Sequence, residues 1–215
     1  TITGYDERGR VIATAVHNPE LDVVETQTHT LDFVGRITQT TSSHTKGGET
    51  LSWVDAFSFD TNGRLLSQKR NLEGKTETLN ANCYNDLRQL EQKSLGGDLQ
   101  TLDYAYNIRG WLTSTNNPEN LENDLFGYGL NYLPNGNIDR MDWNHKGQSK
   151  QYYKYEYDPL NRIKTATHNT GNYNMAVTDY DQNGNIEGLT RNGYLGNTFG
   201  KMDEMTYQYT GNRLI

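Results

Sequence analysis

A seven-residue signature, Tyr-Asp-x-x-Gly-Arg followed by an apolar residue, recurs nine times along the chain in more or less degraded form. The clearest copies begin at Tyr5, Phe59, Tyr157 and Tyr180, and weaker copies begin at Leu31, Tyr84, Tyr106, Tyr132 and Tyr209. Successive copies start 26, 28, 25, 22, 26, 25, 23 and 29 residues apart. Such a period indicates an array in which each unit buries its surface against its neighbours. A structural role is therefore considered first for the residues of the signature, and a catalytic or binding role only after it.

The signature has aromatic, acidic, glycine and arginine positions, each expected to serve the repeat. They are filled by Tyr5, Asp6, Gly9, Arg10, Gly35, Arg36, Phe59, Asp60, Gly63, Arg64, Tyr84, Tyr106, Gly110, Tyr132, Gly136, Tyr157, Asp158, Arg162, Tyr180, Asp181, Gly184 and Tyr209. An acid that recurs once per repeat meets a structural need that recurs once per repeat, so we expect these aspartates to cap turns. Acid–base catalysis instead requires two opposed carboxylates whose environments separate their pKa values.

Aromatic and polar residues alternate just before each signature. Tyr153, Tyr155 and Tyr157 would share one face of a strand, with Lys154 and Glu156 on the other. This period of two is typical of half-buried strands, and no window of the sequence shows a convincing helical period. The Asn-Gly pairs and other signature glycines tolerate the positive φ that tight hairpin turns require. Each signature is therefore predicted to be a hairpin.

A second, looser turn is predicted between successive signatures. The candidates are His17-Asn18-Pro19, Lys46-Gly47-Gly48, Leu72-Glu73-Gly74-Lys75, Gly96-Gly97-Asp98, Asn116-Asn117-Pro118, His145-Lys146-Gly147, Asn169-Thr170-Gly171 and Arg191-Asn192-Gly193. Two turns per repeat give two strands per repeat, and hence roughly 16 to 18 antiparallel strands in a meander. The composition does not shift along the chain, so we predict a single array over residues 1–215, as a fragment of a longer protein.

The composition narrows the class of protein. Hydrophobic residues make up only 33% of the chain and the mean hydropathy is -0.90, but 15 Tyr, 5 Phe and 3 Trp at regular positions argue against disorder. A net charge of -7 without any basic run disfavours nucleic acid as a partner. No apolar run approaches the roughly 20 residues that span a bilayer, and no secretory signal is present.

One segment resembles a calcium-binding loop. Residues 179–186 fit the first eight positions of an EF-hand loop, with Gly184 at the sixth. The twelfth position is Thr190 rather than a bidentate Glu, and no helices flank the segment. We interpret it as a signature hairpin, with a weak cation contact that involves Glu187 as the alternative.

The remaining residue types give no catalytic, metal or cofactor site. His17, His29, His44, His145 and His168 do not lie at metal-ligand spacing to one another or to Cys83, and are expected to be solvated loop residues. Cys83 is expected to be a buried or half-buried small residue rather than a nucleophile. Trp53, Trp111 and Trp143 are assigned to packing within the sheet, with stacking on sugar rings as the alternative. No metal and no cofactor are predicted.

The array resembles the YD-repeats of the Rhs family of bacterial proteins, and related repeats occur in shell-forming toxin-complex subunits and in teneurins. The similarity covers residues 5 to 215, and the segment from Tyr155 to Ile163 matches the pattern well. The resemblance implies an all-β fold of tandem hairpins in a meandering spiral sheet. At a strand spacing of about 4.8 Å, 18 strands make a ribbon roughly 86 Å long. We therefore expect an arc or about one turn of a hollow shell.

The same resemblance implies a non-catalytic role. In the bacterial members the shell encloses a toxic polypeptide, so this chain is expected to be part of a wall that encapsulates or displays a linked toxin or effector. Its expected partners are other segments of the same polypeptide, or a chain that covers the sheet edges, with no membrane insertion. Its expected location is secreted or at the bacterial cell surface. The alternative is a cell-surface adhesin or a glycan- or protein-binding repeat module.

Overall fold

The chain is built from β-strands. The structure is a computed structural model that describes residues 1–97 and 99–215, and no helix occurs among them. The strands are β1 (Ile2–Tyr5), β2 (Val11–Asn18), β3 (Val23–Leu31), β4 (Ile37–Lys46), β5 (Glu49–Phe59), β6 (Leu65–Leu72), β7 (Lys75–Tyr84), β8 (Leu90–Leu95), β9 (Gln100–Tyr106), β10 (Leu112–Thr115), β11 (Phe126–Tyr132), β12 (Ile138–His145), β13 (Gln151–Tyr157), β14 (Ile163–His168), β15 (Met175–Tyr180), β16 (Ile186–Leu195), β17 (Thr198–Thr206), β18 (Tyr209–Thr210) and β19 (Arg213–Leu214). The described residues accordingly contain no helix that could cross a membrane.

The chain divides into two compact units, Thr1–Asp103 and Tyr104–Ile215, hereafter unit 1 and unit 2. In unit 1 each strand pairs antiparallel with the strands before and after it in the chain, from β1 to the first part of β9. In unit 2 the last part of β9 begins the same pattern, which runs to β17. The strands β18 and β19 form a separate hairpin. The predicted all-β meander of tandem hairpins is confirmed.

Among the described strand pairs, eight of the nine signature hairpins contain the same irregularity, and the last, at Tyr209, pairs without it. The pairing register shifts immediately before the signature aromatic, for example at Ser58/Phe59 and at Glu156/Tyr157. The shift reflects one extra residue on the return strand, directly after the apolar position of the signature, as in Leu66 and Lys164. A bulge at a fixed place in these eight hairpins keeps the signature aromatics of successive repeats on the same face of each unit.

The sheet has little conventional core. In unit 1 the buried side chains among the described residues are the polar Ser42 and Asp55. In unit 2 the buried apolar side chains of the described residues are Leu121, Ala166 and Val177. A low apolar content is the cause, because most side chains on a single sheet layer are only half covered. Contacts between neighbouring repeats must therefore supply much of the stabilisation.

Two of the predicted loose turns differ from the structure. Arg191-Asn192-Gly193 is not a turn, because β16 continues to Leu195 and the chain turns at Gly196, whose φ is +58°. Gly193 instead lies under Met202, with a sulfur 3.0 Å from where a Cβ would stand. Asp98, the last residue of the predicted Gly96-Gly97-Asp98 turn, lies outside the described residues.

The second difference is a non-repetitive segment, residues 116–125, where a short turn was predicted at Asn116-Asn117-Pro118. This segment makes two successive turns and covers one face of β11. Gly127 permits the approach, because a Cβ there would lie 3.0 Å from the Leu121 side chain and 3.3 Å from Asn116. The Asn116 amide donates to the carbonyl of Phe126 at 2.8 Å and anchors the segment to the sheet.

Candidate functional site: the ladder of signature turns

The signature aspartate holds its turn closed. In the first copy, the Asp6 Oδ1 atom accepts the backbone N–H groups of Arg8 and Arg10, both at 2.9 Å. The Asp6 Oδ2 atom accepts the Arg10 Nε–H at 2.6 Å. The backbone N–H of Asp6 donates to the Arg10 carbonyl, and the Gly9 N–H donates to the Asp6 carbonyl. This pattern is that of a three-residue hairpin loop in which a type I turn is followed by a left-handed residue.

The left-handed residue of this loop is the signature glycine. Gly63, Gly136 and Gly184 have φ values of +83°, +96° and +86°. The asparagines before them do not adopt a positive φ. Only the glycine of each Asn-Gly pair therefore needs access to the left-handed region. Where the glycine is missing, Arg88 and Asn161 take φ values of +66° and +63°.

The same arrangement recurs at the other signature aspartates. Asp32, Asp60, Asp158 and Asp181 each accept two backbone amides and one side-chain N–H of their own turn. The pKa of each of these carboxyls, and that of Asp6, lies below its ordinary value. For Asp6 the backbone N–H of Arg10 is the main cause. For Asp32, partial desolvation raises the pKa, but the Arg36 side-chain and backbone hydrogen bonds together outweigh it.

The signature arginine reaches the next repeat. While its Nε–H donates to the aspartate of its own turn, its guanidinium lies over the aromatic ring that opens the following signature. The guanidinium carbon of Arg36 is 5.1 Å from the centroid of the Phe59 ring, and that of Arg64 is 4.3 Å from the Tyr84 ring. In unit 2 the corresponding distance from Arg162 to Tyr180 is 4.2 Å. A cation over an aromatic face contributes about 0.5–1 kcal/mol at an exposed site.

The signature tyrosine makes the reciprocal contact to the previous repeat. The hydroxyl of Tyr84 donates to the backbone carbonyl of Leu65, the first residue of the preceding return strand, at 3.0 Å. Tyr180 makes the same bond to Ile163 at 2.6 Å. The equivalent bonds elsewhere in unit 2 are Tyr132 to Leu112, Tyr157 to Ile138, and Tyr209 to Ile186. We call these arginine–ring and tyrosine–carbonyl contacts the ladder.

Signatures that lack the arginine contact the next repeat through a different side chain at the same position. Trp111 stands at an arginine position, and its ring lies 5.1 Å from that of Tyr132 and 3.2 Å from where a Cβ of Gly136 would be. Asn185 occupies another arginine position; its amide donates to Asp181 within the turn and to Asn212 in the next signature. The function of the position is therefore to bridge two repeats, and several residue types can fill it.

The carboxylate-rich segment at residues 179–190 follows the turn pattern. Both Asp181 oxygens are used by its own turn, and the Asp179 Oδ1 accepts the N–H of Tyr180 at 2.8 Å. Within the part of the chain that the structure describes, no group of three or more His, Cys, Asp or Glu residues could hold a metal ion. The hairpin interpretation agrees with this geometry.

The expectations for histidine and cysteine need correction. All five histidines lie in strands rather than loops, since His17, His29 and His44 belong to β2, β3 and β4, and His145 and His168 end β12 and β14. His168 is only 6% exposed, and its burial lowers its pKa. Cys83 is exposed, and as the strand neighbour of Tyr84 it points to the face opposite the signature aromatics.

The three tryptophans are half-buried within the sheet. The Arg70 guanidinium lies 5.3 Å from the Trp53 ring, and the indole of Trp143 stacks on Tyr153 at 5.4 Å. Trp143 and Tyr153 also contact the His168 ring. These contacts favour packing within the sheet over an exposed role for the tryptophans.

Two polar clusters outside the signature were not predicted. In unit 1, Asp55 is 6% exposed and accepts two hydrogen bonds from Arg70, both at 2.8 Å. In unit 2, Asp142 is 8% exposed and accepts two from Arg140, at 2.9 and 2.7 Å. Arg140 and Asp142 are two residues apart on one strand, so their sequence spacing alone could have predicted the pair. Asp55 and Arg70 lie on neighbouring strands, and their pairing could not be predicted from spacing. Pairing of this kind satisfies buried charges and indicates a structural role.

A chain of aromatic rings leads to the edge of unit 2. The Tyr173 ring contacts His168 at 5.2 Å and Phe199 at 5.3 Å, and Phe199 contacts Tyr194 at 5.0 Å. Tyr173, Tyr194 and Phe199 are 42%, 54% and 45% exposed, and form what we call the aromatic patch. It lies at the tip of the β16–β17 hairpin and beside the turn that follows β14.

Comparison with known proteins yields similarity of structure only. No protein-family model and no curated protein matches the sequence. The pore of the Photorhabdus luminescens Tc holotoxin matches 97% of this chain and 14% of its own, at 12% identity and a TM-score of 0.43. The TcdB2–TccC3–Cdc42 crystal structure matches over the same shares at 12% identity and 0.49. A porin-like protein from Bacteroides uniformis gives 10% identity and 0.35, over 89% of this chain and 93% of its own. Scores this low assign neither family nor function, and the chain spans about a seventh of the toxin chains.

Proposed function

We propose that this chain is a non-catalytic part of the wall of an Rhs-type shell that encloses or displays a linked toxin or effector polypeptide. The ladder is the observation that carries the proposal. Signature tyrosines such as Tyr84 and Tyr180 bind the preceding repeat, and signature arginines such as Arg64 and Arg162 bind the following one, so the sheet can be extended without a conventional core. A wall requires this property, and an enzyme or a compact carrier does not.

The distribution of polar groups supports a steric rather than a chemical role. The aspartates of the signature are committed to their own turns, and the guanidiniums beside them to the next repeat. The buried acids Asp55 and Asp142 are each paired to an arginine in two-point geometry. Groups held in this way stiffen a sheet, and stiffness is what a barrier to proteases and solvent needs.

The partners we propose are further segments of the same polypeptide, namely more repeats and the enclosed segment, with a secreted or cell-surface location. The experiment isolates the natural polypeptide that contains residues 1–215 from its producing cells. Limited proteolysis with mass spectrometry then identifies any non-repetitive segment that resists digestion. We expect such a segment to survive in the intact protein and to be cut within minutes after denaturation.

A matched pair of variants sharpens this test. Arg64→Ala removes the guanidinium that lies over Tyr84, whereas Arg8→Ala removes an exposed arginine side chain at a turn tip. We expect Arg64→Ala to shorten the lifetime of the protected segment and Arg8→Ala to leave it unchanged. Isolation of a polypeptide with no protected segment would contradict the wall proposal.

The aromatic patch favours a second candidate function, a binding module on a cell surface. Tyr173, Tyr194 and Phe199 present three exposed rings at one edge of unit 2, and exposed aromatic side chains are typical of binding surfaces. A glycan array probed with the wild-type chain and with Tyr194→Ser tests this candidate. Specific binding that the substitution abolishes would favour the module over the wall. Absence of binding, together with a protected linked segment, would favour the wall.

A further inference from the structure

The turn at residues 169–174 joins β14 to β15 and ties both strands to their neighbours. Among the described residues, β14 and β15 pair with each other at two positions only. The turn itself is fixed on both sides. The backbone N–H of Asn169 donates to the carbonyl of Tyr152 in β13 at 3.1 Å. The carbonyl of Asn174 accepts the N–H of Asn192 in β16 at 2.8 Å.

His168 lies at the base of this turn and holds it through both backbone and side chain. Its backbone N–H donates to the Asn174 Oδ1 atom at 2.8 Å, and its carbonyl accepts the N–H of Gly171 at 2.9 Å. The Nδ1 atom of its ring lies 3.3 Å from the backbone nitrogen of Thr170 and 2.8 Å from the Thr170 hydroxyl oxygen. A change at this one side chain therefore reaches the whole turn.

The hydrogen bonds at the Nδ1 atom require a neutral imidazole. A backbone N–H can only donate, so Nδ1 presents a lone pair to Thr170 and carries no hydrogen. The Thr170 hydroxyl then donates to Nδ1 as well, while its oxygen accepts the N–H of Asn172 at 3.2 Å. An imidazolium carries a hydrogen on both ring nitrogens. Protonation would thus place one N–H against another and leave the Thr170 N–H without its acceptor.

The groups that contact the His168 ring are aromatic. Trp143 of β12 and Tyr153 of β13 lie 5.6 and 5.0 Å from it between ring centroids, and Tyr173 of the turn lies at 5.2 Å. The two tyrosines are the titratable groups among these contacts, and both are neutral in acid. The Tyr153 hydroxyl also donates to the backbone carbonyl of Tyr173 at 2.9 Å. His145, further along β12, is exposed.

Charged side chains on the neighbouring strands are committed elsewhere. On β16 and β17, the Arg191 Nε atom donates to Asp203 at 2.8 Å. On β13, Lys154 alternates with Tyr153 and so points to the opposite face of the strand. Among the described residues, no carboxylate forms an ion pair with His168. A proton taken up by this ring would therefore have no counter-ion.

We propose that His168 is an acid-sensitive latch, whose protonation releases the turn at residues 169–174 from β13 and β16. Release moves Tyr173 away from Phe199, which it now contacts at 5.3 Å, and so separates one ring from the aromatic patch. The inference goes beyond the proposed wall and applies equally to the alternative binding module. In either role, acid would loosen one strand pair of unit 2 while the signature turns remain closed.

The direction of the response follows from burial, which lowers the pKa of His168 below its ordinary value of about 6.5. The closed turn therefore takes up this proton less readily than the open turn. The stabilising contribution of the neutral ring is complete above about pH 6.5. It declines as the pH falls toward the lowered value, by at most about ten-fold in the opening equilibrium per pH unit. The signature aspartates lose theirs at lower pH, so the two effects are separable.

Amide hydrogen exchange of the intact chain, read by mass spectrometry and corrected for the intrinsic effect of pH on exchange, tests the latch. Between about pH 7.5 and about pH 5, we expect protection at residues 169–174 to fall roughly ten-fold. Residues 65–84 in unit 1 should keep their protection over the same range and serve as the internal control.

Variants assign the response to His168. His168→Asn keeps an acceptor near the position of Nδ1 and cannot titrate in this range, so its turn should stay protected at both pH values. His17→Asn, at an exposed histidine of β2, is the matched control and should respond to acid as the wild type does. Thr170→Ala removes the hydroxyl that donates to Nδ1 and favours the neutral ring, so it should shift the loss of protection to higher pH.

Constant protection of residues 169–174 over this pH range would overturn the inference, as would an undiminished acid response in His168→Asn. An equal fall of protection in unit 1 would mean that the chain unfolds globally in acid, and would also reject the latch. If His168→Asn does not fold, Thr170→Ala decides the matter, because a loss of protection at the same pH as in the wild type contradicts a role for the Nδ1 hydrogen bonds.

Discussion

The signature aspartate accepts three hydrogen bonds within its own turn, as at Asp60, where the donors are the backbone of Asn62 and both the backbone and the side chain of Arg64. No other common side chain offers two acceptor oxygens at this reach. Asparagine can replace part of the set, as Asn85 and Asn107 do in this chain by accepting turn amides through a single oxygen. The chemistry of the turn therefore explains both the recurrence of aspartate and its permitted substitute.

The first prediction concerns the hydrogen bonds by which the signature aspartate closes its turn. Asp60→Ala leaves two turn amides and the Arg64 Nε–H without their acceptor, so we expect the midpoint of thermal unfolding to fall by roughly 2–6 °C. Asp60→Asn keeps an amide acceptor and should lose less than half as much. Differential scanning calorimetry of the three proteins measures the order. An Asn variant as damaged as the Ala variant would show that charge, rather than hydrogen bonding, holds the turn.

The second prediction concerns acid. The carboxyl pKa values of Asp6, Asp32, Asp60, Asp158 and Asp181 are lowered in the folded chain. Their stabilising contribution is present above the ordinary aspartate pKa of about 3.9 and is lost as the pH falls through the lowered folded values. We expect the urea midpoint of unfolding to drop steeply below about pH 4. A midpoint that stays constant from pH 4 to pH 2 would contradict the assignment.

The third prediction concerns the ladder hydroxyl. Tyr180→Phe removes the bond to the Ile163 carbonyl but keeps the ring under Arg162. We expect a loss of about 1 kcal/mol in the free energy of unfolding. Tyr194→Phe, at an exposed tyrosine of the aromatic patch, is the control and should change stability by less than about 0.5 kcal/mol. Equal losses in the two variants would remove the ladder hydroxyl from the stabilising contacts.

At the scale of elements, the segment at residues 116–125 is the main departure from the repeat. It buries Leu121 against β11 and hydrogen-bonds through Pro118, whose carbonyl accepts from Asn144 at 3.1 Å. Gly127 is the position that allows this close packing. The segment thus gives one strand pair of unit 2 a local second layer.

The fourth prediction tests that layer. Gly127→Ala places a Cβ 3.0 Å from Leu121 and 3.3 Å from the backbone of Asn117, so we expect a loss of about 1–3 kcal/mol from overpacking. The matched control is Gly200→Ala in β17, where no described atom lies within 4 Å of the added carbon. Urea unfolding of both variants gives the comparison. If the Gly127→Ala protein is as stable as the control, residues 116–125 can move away from the added carbon without a loss in the free energy of unfolding.

At the scale of the whole molecule, stability is expected to be a sum of contacts between neighbouring repeats rather than the property of a common core. Among the described residues, unit 1 contains no buried apolar side chain and unit 2 has three. A local defect in such a molecule should remain local. This behaviour suits a wall, because damage at one repeat does not open the rest.

The fifth prediction follows from this locality. Arg64→Ala should accelerate amide exchange in β6 and β7, whose residues it bridges, and leave exchange in β16 and β17 unchanged. Hydrogen exchange read by mass spectrometry resolves these strands. A uniform acceleration along the chain would mean that it unfolds as one cooperative body, and would contradict the additive description.

The sequence by itself determined the strand periodicity, the hairpin at each signature and the all-β meander. These follow from local physics: alternation sets which residues share a face, glycine permits a positive φ, and aspartate bonds to amides two and four residues ahead. Because the signature recurs nine times, the repeat could be recognised even where single copies have lost one or more of its Tyr, Asp, Gly and Arg residues.

Only the tertiary structure decided which groups meet across repeats. The arginine over the next ring, the pairing of Asp55 with Arg70, the burial of His168 and the packing of residues 116–125 on Gly127 all join residues that are distant in the chain or on different strands. Their meeting depends on strand register and on the bulges of the signature hairpins. Because a shift of one residue would turn every side chain to the opposite face, such contacts are fixed by the assembled sheet rather than by any one segment.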